Sequence, residues 1–348
     1  MKIKIVQNPD CDAWFSNLND YSYSLFISPL WIEALKDETM QPLYLDFFSN
    51  GELVAKIGGF AVNSRISLRR KLFFYAGPAI RLTLPEKTIE YCIKELINYT
   101  KINRYVRLAV LSYDYPHKSE FHCNGYGICK RSEFIVDLLL DKENINKNIS
   151  RGAKRSIAKA IDQGFSFKES DSQELSEKLI QLIKETKNIR LSKGYSDYNS
   201  FYFPYFTSKA FENLIKENAV RFYYIEKDGE IYAVQAILQH NQKAYAMFIG
   251  VKAEGYKYGV PAFIDCSVIY SLKNDQYLYL NFGGVPTDKT HKGIALFKES
   301  LGAVEYFSSY GSTNFLIFPH LLLNPIVNII RKFPENLFIN YVKRLVNI

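Results

Sequence analysis

"LYLDFFSNGELVAKIGGFAV", residues 43–62, alternates up to Asn50-Gly51 and alternates again beyond it. An Asn-Gly pair accepts the left-handed backbone of a two-residue turn, so the stretch predicts two antiparallel strands joined by a type I′ hairpin. "RFYYIEKDGEIYAVQAILQH", residues 221–240, predicts the same hairpin around Asp228-Gly229, and the two turns stand 178 residues apart.

The parallel extends outward. "KLFFYAG" (71–77) and "KAYAMFIG" (243–250) each supply a next strand. "EKTIEYCIKELINYTK" (86–101) and "VPAFIDCSVIYSLK" (260–273) each supply a helix, and "RYVRLAVL" (104–111) and "QYLYLNFG" (276–283) a further strand. A chain of 348 residues is long enough for two cores. The expected fold is therefore α/β (α+β): two tandem domains, each a mixed, mostly antiparallel sheet flanked by helices. The first is expected over 1–142 and the second, carrying the active site, over 143–314, with 315–348 packing back on the first.

Between the copies, "ENINKNISRGAKRSIAKAIDQGF" (143–165) reads as one helix with Ile145, Ile149, Ala153, Ile157 and Ala160 at helical spacing and Gly164 as its stop. Lys147, Arg151, Lys154 and Arg155 share one side of it, which is either a phosphate clamp or a solvated surface. A second helix is expected over 173–190. The polar, aromatic stretch "LSKGYSDYNSFYFPYF" (191–206), with Tyr195, is long for a connector and is expected to line a site.

A formal charge of +8 favours anionic partners without marking a nucleic-acid protein. Five cysteines with no CxxC pair, and scattered histidines, give no disulfide framework and no metal cluster. The first ten residues have no apolar signal region, and no stretch is long and apolar enough to span a bilayer, so the expected location is cytoplasmic. The tail is apolar and broken by prolines. Its last stretch puts Leu337, Phe338, Tyr341, Leu345 and Ile348 on one side near Lys343 and Arg344, an arrangement able to rest on anionic lipid or to pack inward.

"HKGIALFKESLG" (291–302) holds the most informative misfit. Ile294, Phe297 and Leu301 form an apolar stripe with Lys298 on its flank. Such a lysine either serves chemistry or snorkels its head to water. "YLNFGG" (279–284) ends a strand in Gly283-Gly284, which allow close approach of another backbone or a ligand. Asp288, in the loop before that helix, can accept a proton or orient an amine; a turn aspartate is the plain alternative. His240 and His291 read as structural. "GYKYG" (255–259) precedes a helix and could offer amides to an anion, but it lacks the pyrophosphate-loop spacing of ordinary coenzyme A acetyltransferases.

"SEFIVDLLLDKENINKNISRGAKRSIAKAIDQGFSF" followed far downstream by "NFGGVPTDKTHKGIALFKESLG" resembles the Fem family. These are peptidoglycan bridge-forming aminoacyltransferases of the GNAT N-acyltransferase superfamily, built from two GNAT-like domains. The resemblance is sharp in these two segments and runs through most of the chain in order and spacing. It implies transfer of an acyl or aminoacyl group from acyl-CoA or aminoacyl-tRNA to a primary amine on a cell-wall or surface-polysaccharide precursor, with no tightly bound cofactor and no metal. It also implies that Lys298, after Phe297, faces the reaction centre and stabilises the oxyanion formed as the amine adds. Asp288 joins it as a catalytic candidate; Phe297, Arg151, Lys154, Arg155, Gly283, Gly284 and Tyr195 are substrate-binding candidates. "RGAKRSIAKA" replaces the family's consecutive arginines and leaves the donor open. The rival is a non-catalytic membrane-surface or nucleic-acid binding protein on a degenerate GNAT scaffold, with the C-terminal helix as a peripheral membrane contact.

Overall fold

A computed structural model describes residues 1–63, 69–117, 125–170, 172, 174–192, 202–285 and 291–332. The chain divides into two units. Unit 1 is Met1–Arg131 plus the chain from Ser308 onward, and unit 2 is Ser132–Phe307.

Unit 1 begins with β1 (Lys4–Asn8), α1 (Cys11–Phe15), β2 (Tyr21–Ser22) and α2 (Pro29–Leu35). It continues through β3 (Met40–Ser49), β4 (Glu52–Asn63), β5 (Arg70–Phe74), β6 (Ala79–Arg81), α3 (Thr88–Ile102) and β7 (Leu108–Val110). Helix α3 forms because Ile89, Cys92, Ile93, Leu96 and Ile97 recur every three or four residues and bury one face. The strand β8 (Tyr126–Asp137) passes into unit 2. There α4 (Lys142–Asn148), α5 (Arg151–Asp162), β9 (Ser166–Ser170), α6 (Glu174–Ser192) and α7 (Ser208–Lys216) precede β10 (Val220–Lys227), β11 (Glu230–His240) and β12 (Lys243–Val251). Next come α8 (Val260–Asn274), β13 (Tyr279–Asn281) and α9 (His291–Ser300). The chain returns to unit 1 within β14 (Val304–Thr313) and ends its described part with α10 (Asn324–Lys332).

The two hairpins are copies in detail. Asn50 and Gly51, and Asp228 and Gly229, all have positive φ, and each hairpin carries a register shift three residues before its turn, after Phe47 and after Ile225. Within unit 1 the strand order is β1-β3-β4-β5-β7-β14; within unit 2 it is β8-β13-β12-β11-β10-β9. In both, the hairpin's second strand pairs antiparallel with the next, which pairs parallel with the strand after the helix.

Two expectations differ from what is observed. The unit boundaries fall at 131/132 and 307/308 rather than at 142/143 and 314/315, because the second half of β8 pairs with β13 over Ile135–Asp137. The single helix over 143–165 is two helices. Ile149 turns extended, and Ser150 starts α5 by accepting from the Ala153 amide. Lys147 therefore belongs to α4, where it pairs with Glu143 at 2.8 Å, and does not share a helix with Arg151, Lys154 and Arg155. At the other end, Gly164 takes φ +82 and stops α5. In unit 1, Phe315 and Val327 bury against Val106; the stretch 337–348 lies outside the described residues. Among the described residues no helix is long and apolar enough to cross a membrane.

Candidate active site

Strands β12 and β13 run side by side only from Lys243–Tyr245 against Tyr279–Asn281, although β12 continues to Val251. The cause lies on its other edge. Ala246 pairs with Ile237 and Phe248 with Ala236, leaving Met247 as an extra residue. A bulge bends and overtwists its strand, so β12 swings away just past Tyr245. The chain after β13 stays with β8, with the Phe282 amide on the Phe134 carbonyl at 2.8 Å and the Phe134 amide on the Gly283 carbonyl at 3.1 Å. The result is a fork: beyond Tyr245 and Asn281 the two strands no longer pair with each other. Unit 1 has the same parallel pair without the fork: the Leu111 amide meets the Phe74 carbonyl at 2.8 Å and the Tyr113 amide meets the Tyr75 carbonyl at 3.0 Å. There Tyr75 is fully buried, 5.2 Å from Trp31 and 5.9 Å from Tyr113 between ring centroids. That seam is closed and packed with rings.

Lys298 sits at the fork. Its half-buried ammonium donates to the carbonyls of Phe282 at 2.7 Å, Gly283 at 3.0 Å and Gly284 at 2.6 Å, and lies 5.5 Å from the Phe134 ring centroid. These carbonyls follow the last paired residue of β13 and have left the strand ladder of β12. An ammonium with three donors is the group that gathers three acceptors. The misfit in the apolar stripe thus holds the Gly283-Gly284 turn in place. Gly283 itself has φ +69, and a Cβ there would stand 2.8 Å from the Tyr245 hydroxyl, so this position admits only glycine without rearrangement.

On the α7 side of the sheet, the Tyr245 hydroxyl donates to Oε1 of Glu133 at 3.1 Å and Asn281 Nδ2 to its Oε2 at 2.9 Å. Asn281 Oδ1 in turn accepts the Gly283 amide at 2.7 Å. All three side chains are buried. Tyr245 packs against Phe203 with ring centroids 6.0 Å apart, and the Tyr202 hydroxyl donates to the carbonyl of the bulged Met247. The described end of the aromatic loop thus reaches the fork; Tyr195, like Asp288, lies outside the described residues.

On the α8 side, Asp265 is buried and accepts from Gln235 Nε2 at 2.7 Å. Burial pushes its carboxyl up to about 7, against the Gln235 bond and the Lys298 charge, which both favour ionisation. Gln235 Oε1 is buried with no hydrogen-bond partner, and the proton of a neutral Asp265 is the kind of donor it calls for. His240, at the end of β11, is pushed down to about 4 by burial and by Lys243, so it is neutral near pH 7. Among the described residues no cluster of three ligating side chains could hold a metal ion.

Arg151 and Arg155 are exposed and Lys154 half-buried in the first turns of α5, which contain no acidic residue. Burial pushes the Cys266 thiol on α8 up to about 11, and the Lys154 charge opposes that rise. Helix α5 lies directly on the turn before α8: a Cβ on Gly259 would stand 2.3 Å from the Ser156 carbonyl, and Lys159 Nζ donates to the Lys257 carbonyl at 2.7 Å. The Gly259 side of this turn therefore faces the Ser156 carbonyl, and Arg151, Lys154 and Arg155 lie on α5. Phe297 is partly buried against the core of unit 2. Glu133, Tyr245, Asn281, Gln235 and Asp265 were not singled out by sequence. Of these, Glu133 and Asn281 stand at the start of the two segments that carry the family resemblance.

Residues 146–293 match the family model for an acetyltransferase (GNAT) domain. Among solved structures the chain is similar to one titled "Crystal structure of FemX", at 11% identity over 94% of this chain and 100% of that one, with a TM-score of 0.68. It is also similar to L-PGS from Bacillus licheniformis, at 16% identity over 99% of both chains with a TM-score of 0.55. A tandem GNAT protein from the clavulanic acid biosynthesis pathway shares 10% identity over 91% of this chain and 99% of that one, with a TM-score of 0.50. No curated protein sequence matches. Residues 146–293 thus carry a GNAT acetyltransferase domain, and the chain as a whole shares the fold of FemX and of the tandem GNAT protein.

Proposed function

We propose that unit 2 transfers an acyl or aminoacyl group to a primary amine on a cell-wall or surface-polysaccharide precursor. The observation that carries this reading is the fork at Tyr245 and Asn281, inside the segment that matches the GNAT domain. An extended acyl donor can enter between β12 and the chain after β13, where the two strands have parted. The amine attacks the donor's ester or thioester carbonyl. A C–N bond forms and the C–O or C–S bond breaks. The proton that the amine loses passes to the Tyr245 hydroxyl, whose own proton moves to Glu133, and the leaving oxygen or sulfur takes a proton back from this relay as it departs. Lys298 fixes the Gly283-Gly284 turn and places positive charge where the carbonyl oxygen becomes negative. Asp288 is the second candidate to orient the amine.

Arg151, Lys154 and Arg155 supply the phosphate contacts of the donor, either coenzyme A or tRNA. The non-catalytic alternative has the open fork against it, since a scaffold used only for binding has no need to keep this seam apart while its twin is closed. The test is an assay with amino sugars and short lysyl peptides as acceptors, using thiol release from acyl-CoA and transfer of labelled amino acid from aminoacyl-tRNA. One donor should support turnover, and an Arg151→Ser/Arg155→Ser variant should raise the KM for it about tenfold with kcat little changed. No transfer from either donor to any of these amines would reject the proposal.

A further inference from the structure

Gln235 and Asp265 form a polar pair that the transfer chemistry does not use. Both side chains are buried, at 2% and 4% exposure. One bond joins them, from Gln235 Nε2 to Asp265 Oδ1 at 2.7 Å. A neutral carboxyl and an amide can close on each other through two bonds, the second running from the acid proton to the amide oxygen. Here only the first is made, and Gln235 Oε1 stays buried without a partner. A buried acceptor with no donor is costly and uncommon enough to call for a cause.

The position of the pair supplies one. Gln235 stands opposite Ile249 in the β11–β12 ladder, and Ile249 belongs to the part of β12 beyond its pairing with β13. Directly opposite residues share one face of a sheet. The next pair on that face, Ala233 and Val251, is buried in the core with Val260 and Ile264 of α8. Ile249 is 41% exposed, so the cover that α8 gives this face stops at the level of Gln235. Asp265 bonds to Gln235 from α8 and feels the Lys298 charge from the fork. The polar pair thus lies beside the opened part of β12, within the field of Lys298.

We infer that Gln235 and Asp265 select the transferred group, favouring one that carries a hydrogen-bond donor of its own, a hydroxyl or an amino group, over an unsubstituted alkanoyl group. The inference rests on the transferase reading, in which the donor's acyl end enters where β12 parts from the chain after β13. As Ile249 gives way at the lip, a hydroxyl or amino hydrogen on the entering group meets Gln235 Oε1, and Asp265 holds the amide in place to receive it. A plain alkanoyl group leaves that acceptor unpaired. A site built around a polar contact discriminates strongly against a ligand that lacks the matching group.

The experiment measures binding without an acceptor, so it does not depend on turnover. Two matched pairs of ligands are compared by calorimetry. One is butyryl-CoA against 3-hydroxybutyryl-CoA; the other is propionyl against alanyl joined to adenosine through a 3′-amide, which stands in for the tRNA end. In at least one pair the hydroxyl- or amino-bearing member should bind about tenfold tighter or more, and Gln235→Leu should bring that ratio to within about twofold. Should Gln235→Leu fail to fold because Asp265 loses its amide, Gln235→Leu/Asp265→Leu removes both partners at once and is read in its place. Equal binding within both pairs, no binding of any ligand, or a preference that survives in the folded variant would overturn the inference. A preference without transfer to any amine would reject the transferase and leave the selection standing. Transfer from plain and substituted donors alike would do the reverse.

Discussion

The ammonium of Lys298 stands 2.6 Å from the carbonyl of Gly284, fourteen residues earlier, and that bond with its two neighbours ties α9 to the end of β13. The lysine is thus committed to backbone before any substrate arrives. Its catalytic effect would come from the geometry it enforces and from its field, more than from a proton held ready for donation.

Lys298→Met should therefore lose stability as well as rate. Three carbonyls lose a charged donor, which costs about 3 kcal/mol in a half-buried setting. Urea unfolding would read that loss, and turnover measured well below the melting temperature should drop at least ~100-fold. Unchanged unfolding would mean that the carbonyls find water as readily as the ammonium.

Gly283→Ala tests the close approach at the fork. The new Cβ meets the Tyr245 hydroxyl and a backbone with φ +69, so the variant should be destabilised by about 2–3 kcal/mol. Adding Tyr245→Phe removes the oxygen it strikes. The double variant should be more stable than the sum of the two single losses predicts, by about 1 kcal/mol in a double-mutant cycle.

Asp265 makes stability depend on pH with a definite sign. Its folded value of about 7 lies above the unfolded value of 3.8, so the folded state holds the proton over the interval between them. The unfolded state binds fewer protons there, and stability falls as pH rises from about 4 through 7, then levels off. Asp265→Asn should remove this slope. Its advantage over wild type should grow from nothing near pH 4 towards an upper limit of ~4 kcal/mol above pH 7, read by denaturant titrations at several pH values. An equal pH slope in both proteins would place the ionisation elsewhere.

The twin hairpins were legible because Asn50-Gly51 and Asp228-Gly229 carry their turn geometry in two residues. The duplication followed from their spacing, and Lys298 drew notice as a cation beside an apolar stripe. Its partners could not be read, since Phe282, Gly283 and Gly284 come to it only through the placement of α9 over β13. Glu133 was hidden for a similar reason: one carboxylate in a strand has no local signature, and its meaning arises from Tyr245 and Asn281 on neighbouring strands. The break before α5 did have a signal. Ser150 is a favoured helix-starting residue, but the apolar period ran across it and suggested one continuous helix.

The closed seam at Tyr75 and Tyr113 has a numerical consequence. If the fork of unit 2 seats the donor as proposed, a non-hydrolysable donor analogue should bind at one equivalent per polypeptide. The sealed twin is then free to drift in sequence wherever drift leaves its plug of rings intact.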